Sequence, residues 1–301
     1  MHNQIITHQD EPQFLKLLRA RSETYREASH WQITQFFLTV VAPLLGAVVA
    51  ILTPDARPYV AAAALVIAML DSSMIDRIQK QKLRTAARIA EQFDCELLEM
   101  PWNPHAAGKK VEPEIIEGAA QRWPNGEEKL LGWYPTAVGQ VSIHLARIIC
   151  QRTNLWYDGT LREKYSLILL WSAIAIAILL FFGGFVARLS LVDFVAVVMA
   201  PATPVVNWTL REIFRQRDAV DALKLARAEA EALWETALNG GCGPTECARL
   251  SREFQNTIFA RRANNPLIFP KIYDWLRPTL ETQMNRGAEA YVQELKGGVE
   301  G

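Results

Sequence analysis

Ser166 to Ala187 reads SLILLWSAIAIAILLFFGGFVA, 22 residues without a charge, thirteen of them Leu, Ile, Phe or Val. Each of those contributes roughly −0.3 to −0.6 kcal/mol to bilayer insertion, a sum on the order of −4 to −8 kcal/mol. A bilayer core takes about 20 apolar residues as one helix. The stretch therefore reads as a transmembrane span. Upstream, Trp31 to Pro54 is a second uncharged run of 24 residues, centred on FFLTVVAPLLGAVVAIL. Its Pro43 is tolerable in a packed span.

A weaker apolar segment follows each strong one. PYVAAAALVIAML, from Pro58, ends at Asp71, and FVAVVMAPATPVVNWTL runs from Phe194 to Leu210 with Pro201 and Pro204 inside it. Alone, either weak segment could be re-entrant, but the short connections TPDAR (53–57) and RLS (188–190) favour a helical hairpin returning to the same side. The reading is four spans in two hairpins. Basic residues orient them. Lys16, Arg19, Arg21 and Arg26 precede the first hairpin, and Arg77, Lys80, Lys82, Arg84 and Arg88 follow it. Arg147, Arg152, Arg162 and Lys164 precede the second, and Arg211, Arg215, Arg217, Lys224 and Arg227 follow it. Only Arg57 and Arg188 lie in the hairpin loops. Both termini and the middle segment are expected on the cytoplasmic side of the membrane. With some thirty largely polar residues ahead of the first span, no signal peptide is expected. The Asn207-Trp208-Thr209 match abuts the cytoplasmic face, where it would not be glycosylated.

The expected organisation is a cytoplasmic N-terminal helix (1–33), a first transmembrane hairpin (34–75), a cytoplasmic middle segment (76–165), a second hairpin (166–208) and a cytoplasmic C-terminal helical segment (209–301). Apolar residues three or four apart in FLKLLRARSETYREASHWQ, IDRIQKQKLRTAARIAEQFDCELL and REIFRQRDAVDALKLARAEAEALWETAL make the parts outside the membrane helical. Asn239-Gly240-Gly241 is a helix stop. Residues 101–135, rich in Pro, Gly and Trp, read as loops with short helices. No alternating strand pattern occurs, so the chain is mostly α. LRARSETY and LREKYSLI stand at matching positions before the two hairpins, a hint of internal repetition.

Lys plus Arg and Asp plus Glu are 32 each, which excludes a bulk binder of DNA or RNA polymers. Phosphate loops, dinucleotide fingerprints and nucleophile elbows are absent, and the five histidines lack metal-ligand spacing. An enzyme is not expected, nor a metal or cofactor. Cys95, Cys150, Cys242 and Cys247 form no C-x-x-C pair and are expected as free thiols in a reducing compartment.

Two stretches carry nucleotide-like chemistry. CQRTNLWYDGTLREKY (150–165) offers Arg152, Asn154, Trp156 and Arg162. ARRANNPLIFPKIYDWLRP (260–278) offers Arg261, Arg262, Asn265 and Tyr273. Guanidinium groups suit phosphate, aromatics stack on bases and amides read base edges. The same residues also suit interface anchoring and orientation. For the spans, Ala173 and Ala177 have small-xxx-small spacing. Asp71, Ser72, Ser73 and Asp193 are the polar candidates for a pore.

The order of LLRARSETY (17–25), FDCELLEMPWN (93–103), WYP (133–135), CQRTNLWYDGTLREKY and RRANNP…IYDWLRP (261–278) around two hairpins resembles the SMODS-associated four-transmembrane effector family of bacterial anti-phage systems. That resemblance implies an effector encoded beside a cyclic-oligonucleotide synthase. A cyclic oligonucleotide would bind the cytoplasmic module of a homo-oligomer, which would then disrupt the bilayer and kill the infected cell. An ordinary ion channel or transporter with regulatory domains is the rival reading, and a membrane-anchored enzyme a second.

Overall fold

The computed structural model describes residues 3–70 and 74–299, and every regular element among them is helical. After a short α1 (Ile5–His8), α2 (Pro12–Phe36) starts on a proline, whose missing N–H is no loss at a first turn. It continues through a π-helical turn (Phe37–Val41) into α3 (Ala42–Leu52), then through a 3₁₀ turn (Pro54–Ala56) into α4 (Arg57–Leu70). α5 (Asp76–Leu97) follows. Next come α6 (Pro104–Ala107), α7 (Pro113–Arg122) and a 3₁₀ turn (Thr136–Gln140), the broken pattern expected from the Pro- and Gly-rich stretch. α8 (Ile143–Val186) is a single rod of 44 residues, about 66 Å at 1.5 Å per residue. α9 (Leu191–Phe194), a π-helical turn (Val195–Met199) and α10 (Ala200–Leu238) return beside it. α11 (Pro244–Asn264) and α12 (Pro270–Val299) complete the chain.

The π-helical turns at Phe37–Val41 and Val195–Met199 each precede a proline, Pro43 or Pro201, at the start of the next helix. A proline supplies no N–H to the ladder, and the helix takes up the gap as a wider turn. The helix stop at residues 239–241 is as expected. Gly240 adopts φ +72°, its N–H donating to Ala237 O and that of Gly241 to Thr236 O. Arg188 makes the equivalent left-handed turn after α8, at φ 53°. Gly184 there lies against the Phe194 ring, where a Cβ would collide.

α2–α3 (as Pro12–Val49) and α8 are long and apolar enough to cross a bilayer, whereas the apolar run Pro58–Ile67 is shorter. Leu52, Leu65, Met69, Leu179, Phe185 and Leu191 stand exposed around the hairpin ends. Such a belt is not left to water in a soluble protein. The opposite halves of the same helices bury a core. Phe93 sits at its centre, edge-on to Phe14 at 5.9 Å and stacked on Tyr134 at 6.3 Å, with Leu18, Leu98, Ile148 and Trp234 in the same cluster.

Two carboxylates one turn apart on α5 are buried inside that core, Glu91 at 0% exposure and Asp94 at 1%. Asp94 accepts from Tyr134 Oη at 2.8 Å, Gln255 Nε2 at 2.9 Å and Arg262 Nη1 at 2.5 Å. Glu91 accepts from Gln255 Nε2 at 2.9 Å and Arg252 Nη2 at 2.5 Å. Burial disfavours the Arg262 charge, but Asp94 more than offsets this and holds the guanidinium above its ordinary pKa. The neighbouring Cys95 thiol is pushed up to about 12, by burial first and by Glu91 second.

The expectation of four free thiols needs one correction. Cys95 and Cys150 are free and buried, but Cys242 and Cys247 form a disulfide, their Cα atoms 5.7 Å apart. The turn after α10 folds Cys242 back onto the first turn of α11, a proximity that residue spacing alone did not reveal.

Removing one member of a buried ion pair strands the other. Arg262→Ala is expected to lower the stability of the detergent-solubilised protein by about 3–5 kcal/mol in denaturant melts. Adding Asp94→Asn should restore part of that loss. A neutral single variant would show that Asp94 finds another partner.

A candidate anion-binding cavity

Arg77, Lys80, Arg84 and Arg88 recur at steps of three and four, which places them on one face of α5. Arg211 and Arg215 repeat that spacing on α10. The fold turns the two stripes toward a shared cavity of about 1690 Å³, also walled by α2, α4 and the end of α11. All six cations line it, with Asp76 and Glu212 as its carboxylates and Asn207, Asn256, Asn264 and Asn265 as amides. Lys80 pairs with Asp76 at 2.7 Å, and Arg215 lies 3.8 Å from Glu212. Arg77, Arg84 and Arg211 have no ion pair among the described residues, and Arg88 only a 3.4 Å contact to the Thr85 hydroxyl. Burial raises the pKa of the Glu212 carboxyl, an effect the Gln216 hydrogen bond and Arg215 partly oppose.

The wall formed by residues 264–267 is braced from behind. Arg162 Nη1 donates to Pro266 O at 2.6 Å, while Gln32 and Gln216 donate to Leu267 O at 3.1 and 3.2 Å. Thus α8, α2 and α10 all hold this loop and present Asn264 and Asn265 to the cavity. Trp208, also on the wall, packs edge-on against Phe36 at 4.7 Å.

Of the residues singled out by sequence, Asn265 lines this cavity, while its amide donates to Asp158 at 3.3 Å. Arg162 is buried behind the wall, 3.0 Å from Asp158 and bonded to Gln216. Arg152 donates twice to Glu231, at 3.0 and 2.9 Å, and lies over the Tyr291 ring at 4.8 Å. Asn154 donates to Tyr134 Oη at 3.0 Å. Through Tyr134 and Asp94 it belongs to the same network as Arg262. Trp156 and Tyr273 each pack against the cluster of Leu161, Tyr165 and Leu280. Arg261 keeps a buried Nε with no hydrogen-bond partner among the described residues. The two sequence clusters meet along the Asp158–Asn265 seam, but they do not form one open site. A phosphate at Arg152 or Arg262 would have to displace a carboxylate.

In the hairpins, Ala173 is half-buried and Ala177 exposed on α8. Asp193 is exposed at the tip, where it accepts from Ser190 Oγ at 2.6 Å and its own N–H donates back to that oxygen at 3.2 Å, starting α9. Asp71, Ser72 and Ser73 lie outside the described residues.

The cavity cations were counted in the sequence only for orientation. Their one-face spacing was the available signal, and the facing of the two stripes was not.

The family described as the SMODS-associating 4TM effector domain matches residues 3–291. A probable CBASS effector molecule of Bacillus cereus (strain VD146) is 22% identical over 279 residues, covering 89% of this chain and 91% of that protein. No solved structure matches the chain.

Cations without counter-charges stabilise nothing by themselves. Arg84→Ala is expected to change stability by less than about 0.5 kcal/mol, and added pyrophosphate should raise the melting temperature of the wild type more than that of the variant. A loss as large as that of Arg262→Ala would mean that Arg84 is a structural residue.

Proposed function

Since the chain belongs to the SMODS-associating 4TM effector family, a family of membrane proteins of antiviral defence, we propose that it is a nucleotide-gated effector of the bacterial inner membrane. In this reading α2–α4 and α8–α10 form two inserted hairpins, giving four spans with both termini and residues 76–165 in the cytoplasm. A cyclic oligonucleotide occupies the basic end of the cavity. Its phosphates bridge Arg84 and Arg88 on α5 to Arg215 on α10. The protein acts by rearrangement and homo-oligomerisation, without catalysis or cofactor, and permeabilises the membrane of the infected cell.

The carrying observation is the continuity of α10. It runs unbroken from Ala200 in the apolar hairpin past Arg211 and Arg215 on the cavity wall. A ligand that draws the α10 stripe toward α5 removes like-charge repulsion between them and acts on the span through a stiff helix. It shifts the equilibrium only as far as it binds the drawn-together state more tightly than the resting one.

Proteoliposomes carrying a self-quenched dye should leak only when cyclic di-AMP, cyclic GMP–AMP or cyclic tri-AMP is added. A charge-assisted bond contributes roughly 1.5–3 kcal/mol. Arg84→Ala, Arg88→Ala and Arg215→Ala should each therefore weaken binding by about ten- to a hundredfold while inserting normally. Leakage that is equal with and without every nucleotide would favour a constitutive channel. For the topology, single-cysteine labels beside Asp55 and Ser190 should react from outside the cell, and labels beside His105 and Gly287 should not.

A further inference from the structure

At about 1690 Å³ the cavity exceeds the roughly 300–1,000 Å³ that one small ligand fills, and its walls change character from end to end. Leu38, Pro43, Ala64, Ile67 and Pro204 line the part between the apolar hairpins. Arg84 and Arg88 line the far part, 7 and 11 residues beyond Arg77, or about 10 and 16 Å farther along α5. At the boundary stand Arg77 and Arg211, just past the ends of the two returning apolar segments and without an ion pair among the described residues. Trp208 is beside them, an amphipathic ring suited to headgroup depth.

A nucleotide satisfies only the basic part of such a space. The apolar part, opening between membrane helices, takes hydrocarbon. From this we infer that the cavity also binds an anionic glycerophospholipid, its acyl chains between the hairpins and its phosphodiester against Arg77 and Arg211. A choline or ethanolamine headgroup would bring its own cation against the arginines, whereas phosphatidylglycerol brings only the anion. The inference rests on the reading of the hairpins as membrane-inserted. The same chemical group, a phosphodiester, is offered by lipid and by nucleotide, each against its own arginines.

The test is native mass spectrometry of the protein released from nanodiscs of equal phosphatidylglycerol and phosphatidylcholine. The expected result is retention of phosphatidylglycerol over phosphatidylcholine, with that preference falling about fivefold for each of Arg77→Gln and Arg211→Gln. Arg77→Lys should keep it, which separates charge from folding. Arg88→Ala should keep the lipid while losing affinity for the cyclic nucleotides, measured in detergent without phosphatidylglycerol. Equal retention of both lipids by the wild type overturns the inference, as does a preference untouched by the double glutamine variant. If cyclic nucleotides still bind in that case, the proposed function stands. If lipid preference follows Arg77 and Arg211 while no nucleotide binds, the lipid site stands alone.

Discussion

Two carboxylates removed from water on adjacent turns of α5 set the terms for much of this structure. Glu91 and Asp94 cannot remain ionised in an apolar core without donors aimed at them. Arg252, Gln255 and Arg262 supply those donors from three turns of α11, and Tyr134 supplies one from the loop region. Satisfying them fixes where α11 lies against α5. It also fixes where the chain emerges at Asn264 and Asn265, on the cavity wall. Gln151 extends the network into α8 by donating to Gln255 Oε1 at 3.1 Å. The base of the molecule is thus tied together by polar bonds that tolerate little displacement.

The arginines divide by what faces them. Arg152, Arg162, Arg252 and Arg262 each meet a carboxylate and hold helices together. Arg77, Arg84 and Arg211 meet none among the described residues and share a cavity with three more cations. Like charges held together in a recess raise its potential and favour any anion that enters. The bonded base opposes that repulsion by holding α5 against α11 and α8. Long uninterrupted helices connect this base to the apolar hairpins, so a change at one end need not be relayed through loops.

Sequence spacing distinguished poorly between these two classes of arginine. The stretches richest in Arg, Asn and aromatic residues, 150–165 and 260–278, look most like a nucleotide site in one dimension. Their polar groups are largely turned inward on each other, through Arg162 to Pro266 and Asn265 to Asp158. The stripe at 77, 80, 84 and 88 looks like ordinary orientation charge. Its partner stripe at 211 and 215 is more than a hundred residues away.

Local chemistry alone determined what depends on a few neighbouring residues. Uncharged runs of 22 and 24 residues read as helices for a bilayer, and Asn239-Gly240-Gly241 as a helix stop. The 101–135 stretch read as short helices and loops, and the absence of alternation as a chain without strands. Each follows from hydropathy, periodicity or backbone sterics among neighbouring positions in the chain. Tertiary structure decided which charges are opposed. Whether Arg262 meets Asp94 or solvent depends on how α11 docks, and whether Arg84 and Arg215 line one cavity depends on how the two hairpins pack. Cys242 and Cys247 become partners because a turn folds one onto the other. Coulomb and hydrogen-bond energies fall steeply with distance in space and are indifferent to distance along the chain, and only the folded structure supplies the former.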